Sequence, residues 1–531
     1  MPTPSTTTIL NYHNRTKHTL ERYAKSPDTL DWDDQPDPFR RFSGCEVVPL
    51  PRPGAMLQTL FAQFDTPHLI PKQPLNRASL GLLLELSFGL SAWKAYGPNR
   101  WSLRCNPSSG NLHPTEAYLI NTDGMLMKPG LYHYVSYDHH LEQRCQFADP
   151  SNDVGLLIGL SSVHWREAWK YGERAYRYCQ HDTGHALGAL RYAAATLGWS
   201  IELVTRYSDD ETAFLLGLNR SHDFIDNEHE FPDFICRIHT RSNHAPLPAQ
   251  ALLEAARDGV WSGKADSLRA YHLYKWPVID EVAHAAKKWH TADANWQAAP
   301  QHLIKSVCHT SAVDIIRSRR SAQHFDGTLS PLPSSDFYRM LSAVLPAAKI
   351  PFDSWPWSPK VHLFIFVHRV EGLPSGLYAL PRSTDVLQKL KAATLADFAW
   401  QTVSDDLPLY QLYPGDFRQT AKTLSCRQAI AGDSAFSLAM LAEFSEPLEE
   451  QAWNYRRLFW ECGLIGQVLY LEAEAAGVRG TGIGCFFDDS VHEIFGIKDN
   501  SFQSLYHFTV GRPLEDQRLQ TLPAYGHLPA L

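Results

Sequence analysis

The chain lacks any run of about 18 consecutive apolar residues, which excludes a membrane-spanning helix. It lacks a basic excess: with a net charge of −8 and a sequence pI near 6.3, nucleic acid and anionic membrane surfaces are poor partners. Its nine cysteines (Cys45, Cys105, Cys145, Cys179, Cys236, Cys308, Cys426, Cys462 and Cys485) are scattered singly, without a CxxC pair. That spacing excludes a disulfide framework and predicts reduced, mostly buried thiols. The opening MPTPSTTTIL has neither a basic nor an apolar signal region, so the expected location is cytoplasmic.

What is present is repetition. Residues 176–218 align without a gap on residues 455–497: Gly184 meets Gly463, Gly198 meets Gly477, Asp209 and Asp210 meet Asp488 and Asp489, and Gly217 meets Gly496. The period is too long for a solenoid and predicts two domain-sized units side by side, in keeping with 531 residues. A duplicated unit within one chain commonly replaces a homodimer, whose sites lie across the two-fold seam.

Residues 1–75 are polar and Pro-rich and predict an extended arm. A helix is expected from Ser79 to Trp93, strands at TEAYLI, PGLYHY and FICRIHT, and a long helical pattern over 164–198. The second copy repeats this with DIIRSRR as a helix and KVHLFIFV, SGLYAL, AFSLAMLAEF and LYHFTVGRP as strands. The expected division is 1–75 arm, 76–245 first domain, 246–300 helical connector, 301–515 second domain and 516–531 tail. Helices alternating with strands in each half give an α+β class.

Several short patterns bear on chemistry. Asn106-Pro107-Ser108-Ser109-Gly110-Asn111 has the composition of a loop that lies against a planar polar ligand, and also that of a surface turn. Arg319, Arg320 and Ser321 suit a phosphate, or form a solvated basic patch; Arg512 is a third candidate, with Arg241 as its counterpart. Gly480-Thr481-Gly482-Ile483-Gly484 has the wrong spacing and context for a dinucleotide fingerprint, but fits a backbone pressed against a flat ligand; the aligned Ile201, Leu203 and Thr205 offer no such access. His181 and His185 have a zinc-like spacing without a third ligand, so packing or hydrogen bonding is the expectation and no metal is assigned. Lys170 and Tyr171 suit general acid–base work if partly buried, or a lysine on an exposed helix face.

Together these segments resemble the FMN-dependent nitroreductase superfamily. RSRRSAQHFDGTLS is similar to its opening segment, RCNPSSGNLHPTEAYLI to its flavin-loop segment, and KYGERAYRYCQHDTGH and VGRP to its long helix and closing turn. The arm and PSSGNLHP resemble the SagB-type dehydrogenase branch, here as a fused double-domain form. The resemblance implies two nitroreductase-like domains, each a mixed, largely antiparallel sheet flanked by helices, in tandem as a pseudo-dimer. It also implies one composite FMN site. The second copy would bring Arg319, Arg320, Ser321, Gly482, Gly484 and Arg512; the first would bring Pro107, Ser108, Ser109 and Asn111.

Each copy lacks what the other keeps: the first reads PLNRASLGLL where an arginine pair is expected, and the second reads KIPFDSWPWSPK where PSSGN is expected. Phe352, Trp355 and Trp357 would then close the second pseudo-site or line a substrate channel. Lys170 and Tyr171 match a KY pair that the azoline-oxidising members use in proton removal. The implied activity is hydride exchange at flavin N5 with a small-molecule or peptide-derived substrate, with NAD(P)H as electron donor. The alternatives are a flavin-cleaving, oxygen-dependent relative and a non-catalytic flavin-binding or scaffolding subunit.

Overall fold

The computed structural model describes residues 3–52, 57–148, 155–226, 228–241, 247–269, 274–299, 301, 303–328 and 331–529. The expected domain boundaries at 245/246 and at 300 fall outside the described residues. The chain forms two lobes with the same topology. In the first, five antiparallel neighbours lie in the order Gly130–Val135, Thr115–Asn121, Leu156–Ser162, Phe231–His239, Ser200–Leu203. In the second the order is Gly376–Leu380, Val361–Val367, Phe436–Glu443, Phe502–Gly511, Arg479–Ile483. The central strands are apolar runs without alternation, and every residue of Leu156–Ser162 and of Phe436–Glu443 is buried. Strands buried on both faces carry such a pattern because neither face meets water.

Two helices, Ala175–Thr196 and Asn454–Ala475, form the seam; the first is buried along its whole length. They cross at the two glycines that the repeat aligns. A Cβ on Gly184 would stand 2.1 Å from the Trp460 carbonyl oxygen, and one on Gly463 would stand 2.2 Å from that of His181. Only hydrogen fits on either side, so the backbones touch.

The contacts across the seam are reciprocal. Arg177 of the first helix donates to Asp488 at 2.8 Å, and its counterpart Arg456 donates to Asp209, the counterpart of Asp488, at 2.6 Å. Residue i meeting j′ while i′ meets j is the signature of an isologous interface, here enclosed in one chain.

The arm and the connector turn out to be one element occurring twice. His18 exchanges backbone bonds with Asp488: its N–H donates to the carboxylate at 2.9 Å and its carbonyl accepts from Asp488 N at 3.0 Å. Lys288 does the same with Asp209, both at 2.9 Å. Each follows a short helix, Pro4–Arg15 and Pro277–Ala285, and each sits on the lobe opposite the one it introduces.

Three local expectations are corrected. The arm is not wholly extended, because Pro4–Arg15 is helical: Thr3 caps it, accepting from Thr6 N. The connector carries two helices, Ala249–Asp258 and Pro277–Ala285, but no regular structure over 287–299. The helix expected from Ser79 to Trp93 runs Arg77–Phe88 and stops at Gly89; Leu90–Tyr96 is a strand paired with Asn99–Arg104. The tail is tied to it, since Gln520–Leu522 adds a third strand and the Tyr525 hydroxyl accepts from Leu90 N at 2.9 Å. Among the described residues, no helix is long and apolar enough to cross a membrane.

Candidate active site

A cavity of about 420 Å³ opens at one side of the seam, lined from both lobes. This lies in the range of small-molecule sites, roughly 300–1,000 Å³. Lobe one supplies the loop 106–111, between the strands Asn99–Arg104 and Thr115–Asn121. Gly110 and Asn111 both take left-handed backbone, φ 59° and 61°. A Cβ on Gly110 would stand 2.4 Å from the Tyr171 hydroxyl and 3.1 Å from Lys170 Nζ, so the loop rests on that pair.

The loop's polar groups hold the loop itself. Ser109 donates through its N–H at 3.1 Å and its hydroxyl at 3.0 Å to Asp182 on the first central helix. Ser108 Oγ accepts from His113 N at 2.8 Å, and Asn111 donates to Ser102 O at 2.8 Å. The second lobe keeps the same device: Glu461, aligned with Asp182, accepts from Lys360 N at 2.9 Å at the end of its own loop.

Burial pushes the Asp182 carboxyl up to about 7, against the bonds from Ser108 and Ser109. A carboxyl raised on folding stabilises fully below its ordinary range, and that contribution is lost as pH rises through its folded value. The urea midpoint should therefore fall between about pH 5 and about pH 8, and Asp182→Asn should flatten that decline. An equally steep decline in the variant would remove Asp182 as its source.

Lobe two supplies Arg319, Arg320 and Ser321, directly after the helix Ala312–Ser318. Arg319 is buried and crosses the seam, donating to Arg104 O at 2.9 Å and Cys105 O at 3.3 Å. Arg320 donates to the carbonyl and the hydroxyl of Ser91, each at 3.2 Å, and to the Arg317 and Arg319 carbonyls. Every hydrogen bond these guanidiniums make among the described residues goes to a neutral oxygen. Burial, then the charge of Arg319, lowers Arg320 to about 10; burial also lowers Arg319 and nearby Lys94. Positive charge crowded in a desolvated place favours an anion there.

The wall between the loop and the arginines is aromatic. Tyr470 bonds the Ser321 hydroxyl at 2.7 Å and accepts from Gly482 N at 2.9 Å. A Cβ on Gly482 would stand 1.9 Å from the Tyr506 hydroxyl, and one on Gly484 would stand 2.3 Å from the Tyr178 ring. The glycines are needed because tyrosines lie against the strand Arg479–Ile483 and its end, and the Gly482 amide is already engaged. His185 bonds Tyr506 at 3.1 Å and His181 bonds Leu505 O at 3.0 Å; both imidazoles are packed in the seam.

Thus Pro107, Ser108, Ser109, Asn111, Arg319, Arg320, Ser321, Gly482, Gly484 and Tyr171 line one cavity. Lys170 lies just behind Gly110, against Trp32 of the arm at 5.5 Å. The Arg512 side chain is exposed and is not in the lining, although Pro513 and Leu514 beside it are. Sequence reasoning missed Tyr178, Asp182, Tyr470 and Tyr506. The repeat held a signal for two of them: Tyr178 and Tyr470 align with arginines.

The equivalent place on the other side of the seam is built shut. Arg457, aligned with Tyr178, lies over Trp357 at 5.6 Å, and Arg191, aligned with Tyr470, pairs with Asp353 at 2.7 Å. The connector crosses it: Thr291 Oγ donates to Thr205 O at 2.9 Å, and Trp296 N donates to Pro356 O at 3.1 Å. Thr205 aligns with Gly484, so the gap left open in lobe two is covered in lobe one. The sequence segment 74–83 is not the counterpart of Arg319–Ser321, because Arg77–Phe88 precedes the first sheet strands as Ser334–Ala343 does in lobe two. No arginine occurs over 57–70, the stretch before that helix.

Known proteins agree with this architecture. Residues 316–512 match the nitroreductase family model. A protein of Anabaena variabilis ATCC 29413, provisionally described as a nitroreductase, is 22% identical over 96% of this chain and 99% of its own, with a TM-score of 0.68. That likeness shows the fold: two nitroreductase-like domains in tandem. Nitroreductase A of Vibrio parahaemolyticus RIMD 2210633 is 16% identical over 38% of this chain and 68% of its own, TM-score 0.24. A chain of the E. coli microcin synthetase McbBCD complex with truncated pro-MccB17 bound is 17% identical over 45% of this chain and 94% of its own, TM-score 0.26. No curated protein matches the chain.

Proposed function

We propose that this chain is an FMN-dependent oxidoreductase of the nitroreductase superfamily, with one flavin site at the open side of the seam. The observation that carries the reading is the asymmetry: one seam side is a two-lobe cavity with arginines bonded only to neutral oxygens, and its counterpart is sealed by Trp357, Arg457 and the connector. Arg319, Arg320 and Ser321 would hold the phosphate, while loop 107–111 and the tyrosines 178, 470 and 506 would flank the ring. FMN, when bound, supplies two-electron redox chemistry.

The protein's own part is to place a proton-transfer group beside that ring. Burial lowers the Lys170 ammonium, with Glu167 opposing, so Lys170 can release a proton more readily than a free lysine, and the Tyr171 hydroxyl beside Gly110 extends its reach. With the arm that brings Trp32 over Lys170, this pair supports the SagB-type dehydrogenase branch and a small or peptide-derived substrate; NAD(P)H is the candidate donor by family resemblance alone. All nine cysteines are free, which fits a reducing, cytoplasmic setting.

Reconstitution with excess FMN followed by desalting should leave one flavin per chain by absorbance. Two per chain would defeat the single-site reading, and none would defeat the flavin reading.

A further inference from the structure

Cys426 and Cys485 meet at the rim of the cavity. Phe487 N donates to Leu424 O at 2.8 Å, two residues after one cysteine and two before the other. Gln428 Nε2 donates to Cys485 O at 3.3 Å, and the two thiols face each other closely enough to shift one another's titration. Both cysteines are half-buried, and Cys485 and Gln428 line the cavity. Cys426 and Arg427 are held in consecutive left-handed conformations, φ 52° and 61°. Two adjacent non-glycine residues there persist only where the surroundings impose them, and such strain gathers at functional places.

The arm completes the group. His18 Nδ1 accepts from Ala24 N at 2.8 Å, which leaves the ring proton on Nε2, and the ring faces Cys485. The other ionisable groups facing the sulfurs are Arg174, Tyr171, Tyr178, Tyr23 and Asp488; Asp488 is already engaged by Arg174. The neighbouring Cys426 thiol draws the Cys485 thiol below its ordinary range, with burial opposing and His18 assisting; Cys485 and burial together push Cys426 up.

We infer that Cys485 and Cys426 are a nucleophile and its resolving partner, a thiol pair that a low-molecular-weight disulfide oxidises to an internal disulfide. The Cys485 thiolate attacks one sulfur of the external disulfide; an S–S bond forms to Cys485 and the first external thiolate leaves. That thiolate takes the Cys426 proton. The Cys426 sulfur then attacks Cys485 in the mixed disulfide and expels the second external thiolate. Two protein sulfurs are oxidised by two electrons in all, and one external disulfide is reduced to a thiol and a thiolate, the latter taking a proton from solvent. A closed pair would fix the cavity rim to the segment 424–428.

Iodoacetamide at about pH 6, followed by digestion and mass spectrometry, should alkylate Cys485 about tenfold faster than Cys308, another half-buried cysteine. Full-length protein treated with glutathione disulfide, then blocked and mapped without reductant, should give a linked Cys426–Cys485 peptide. In Cys426→Ser the same treatment should stop at a glutathione adduct on Cys485. Equal alkylation of Cys485 and Cys308, or wild-type protein that yields no linked peptide, overturns the proposal. The readout is covalent and needs no cofactor, so its failure leaves the flavin reading standing.

Discussion

Arg319→Ala is expected to weaken FMN retention about 100-fold, the equivalent of roughly 2.7 kcal/mol, because it removes a charge-assisted contact to phosphate. The effect is large because Arg319 comes to the site pre-ordered. Its guanidinium is buried and already bonded to the Arg104 and Cys105 carbonyls across the seam, so little side-chain freedom remains to be lost on binding. Arg512→Ala should change retention far less, since that side chain is exposed and outside the lining. Fluorescence titration of apoprotein with FMN measures both. Equal losses would remove Arg319 as the principal phosphate contact.

What could be read beforehand follows from which atoms carry each contact. The crossing of the central helices was legible in Gly184 and Gly463, because close backbone approach forbids any side chain and so marks the sequence. The reciprocal ion pairs were half legible: Asp209 and Asp488 stood out as aligned acids, while their arginine partners lay within the same repeat without a stated role. The equivalence of arm and connector was invisible, since His18 and Lys288 meet their aspartates through main-chain groups that any residue possesses. The first residues of the strand Leu90–Tyr96 were read as helix, through Trp93, because the apolar spacing of Arg77–Phe88 runs on past Gly89; one strand partner, Asn99–Arg104, is local and the other, Gln520–Leu522, lies at the far end of the chain. The cavity tyrosines were passed over for another reason: a tyrosine within an apolar helix or strand reads as core until the space beside it is known. The composition of loop 107–111 fitted a surface turn as well as a ligand-facing loop, and only the family resemblance favoured the second; its hydroxyls and amide mostly secure the turn.

Asp488→Ala should be among the most destabilising single changes away from the cavity, by about 3–5 kcal/mol. Asp488 is fully buried and accepts from Arg177 at 2.8 Å, from Arg174 at 2.9 Å and from His18 N at 2.9 Å. Removing it strands two buried guanidiniums and frees the arm from the second lobe. Asp209 is the aligned residue, but the consequences differ. Arg456, its partner at 2.6 Å, also faces Asp233 at 3.5 Å, so Asp209→Ala leaves one carboxylate for one guanidinium. A loss of about 1–3 kcal/mol is expected there, the cost of unmade hydrogen bonds without an orphaned charge. Burial alone would raise the Asp488 carboxyl; Arg174 and Arg177 outweigh it and hold it well below the ordinary carboxylate range. Its contribution is therefore complete above that range and is lost only as pH falls into strong acid. Denaturant unfolding of the two variants at neutral pH would decide the matter, and equal losses would mean that the seam is energetically symmetric despite its one-sided cavity.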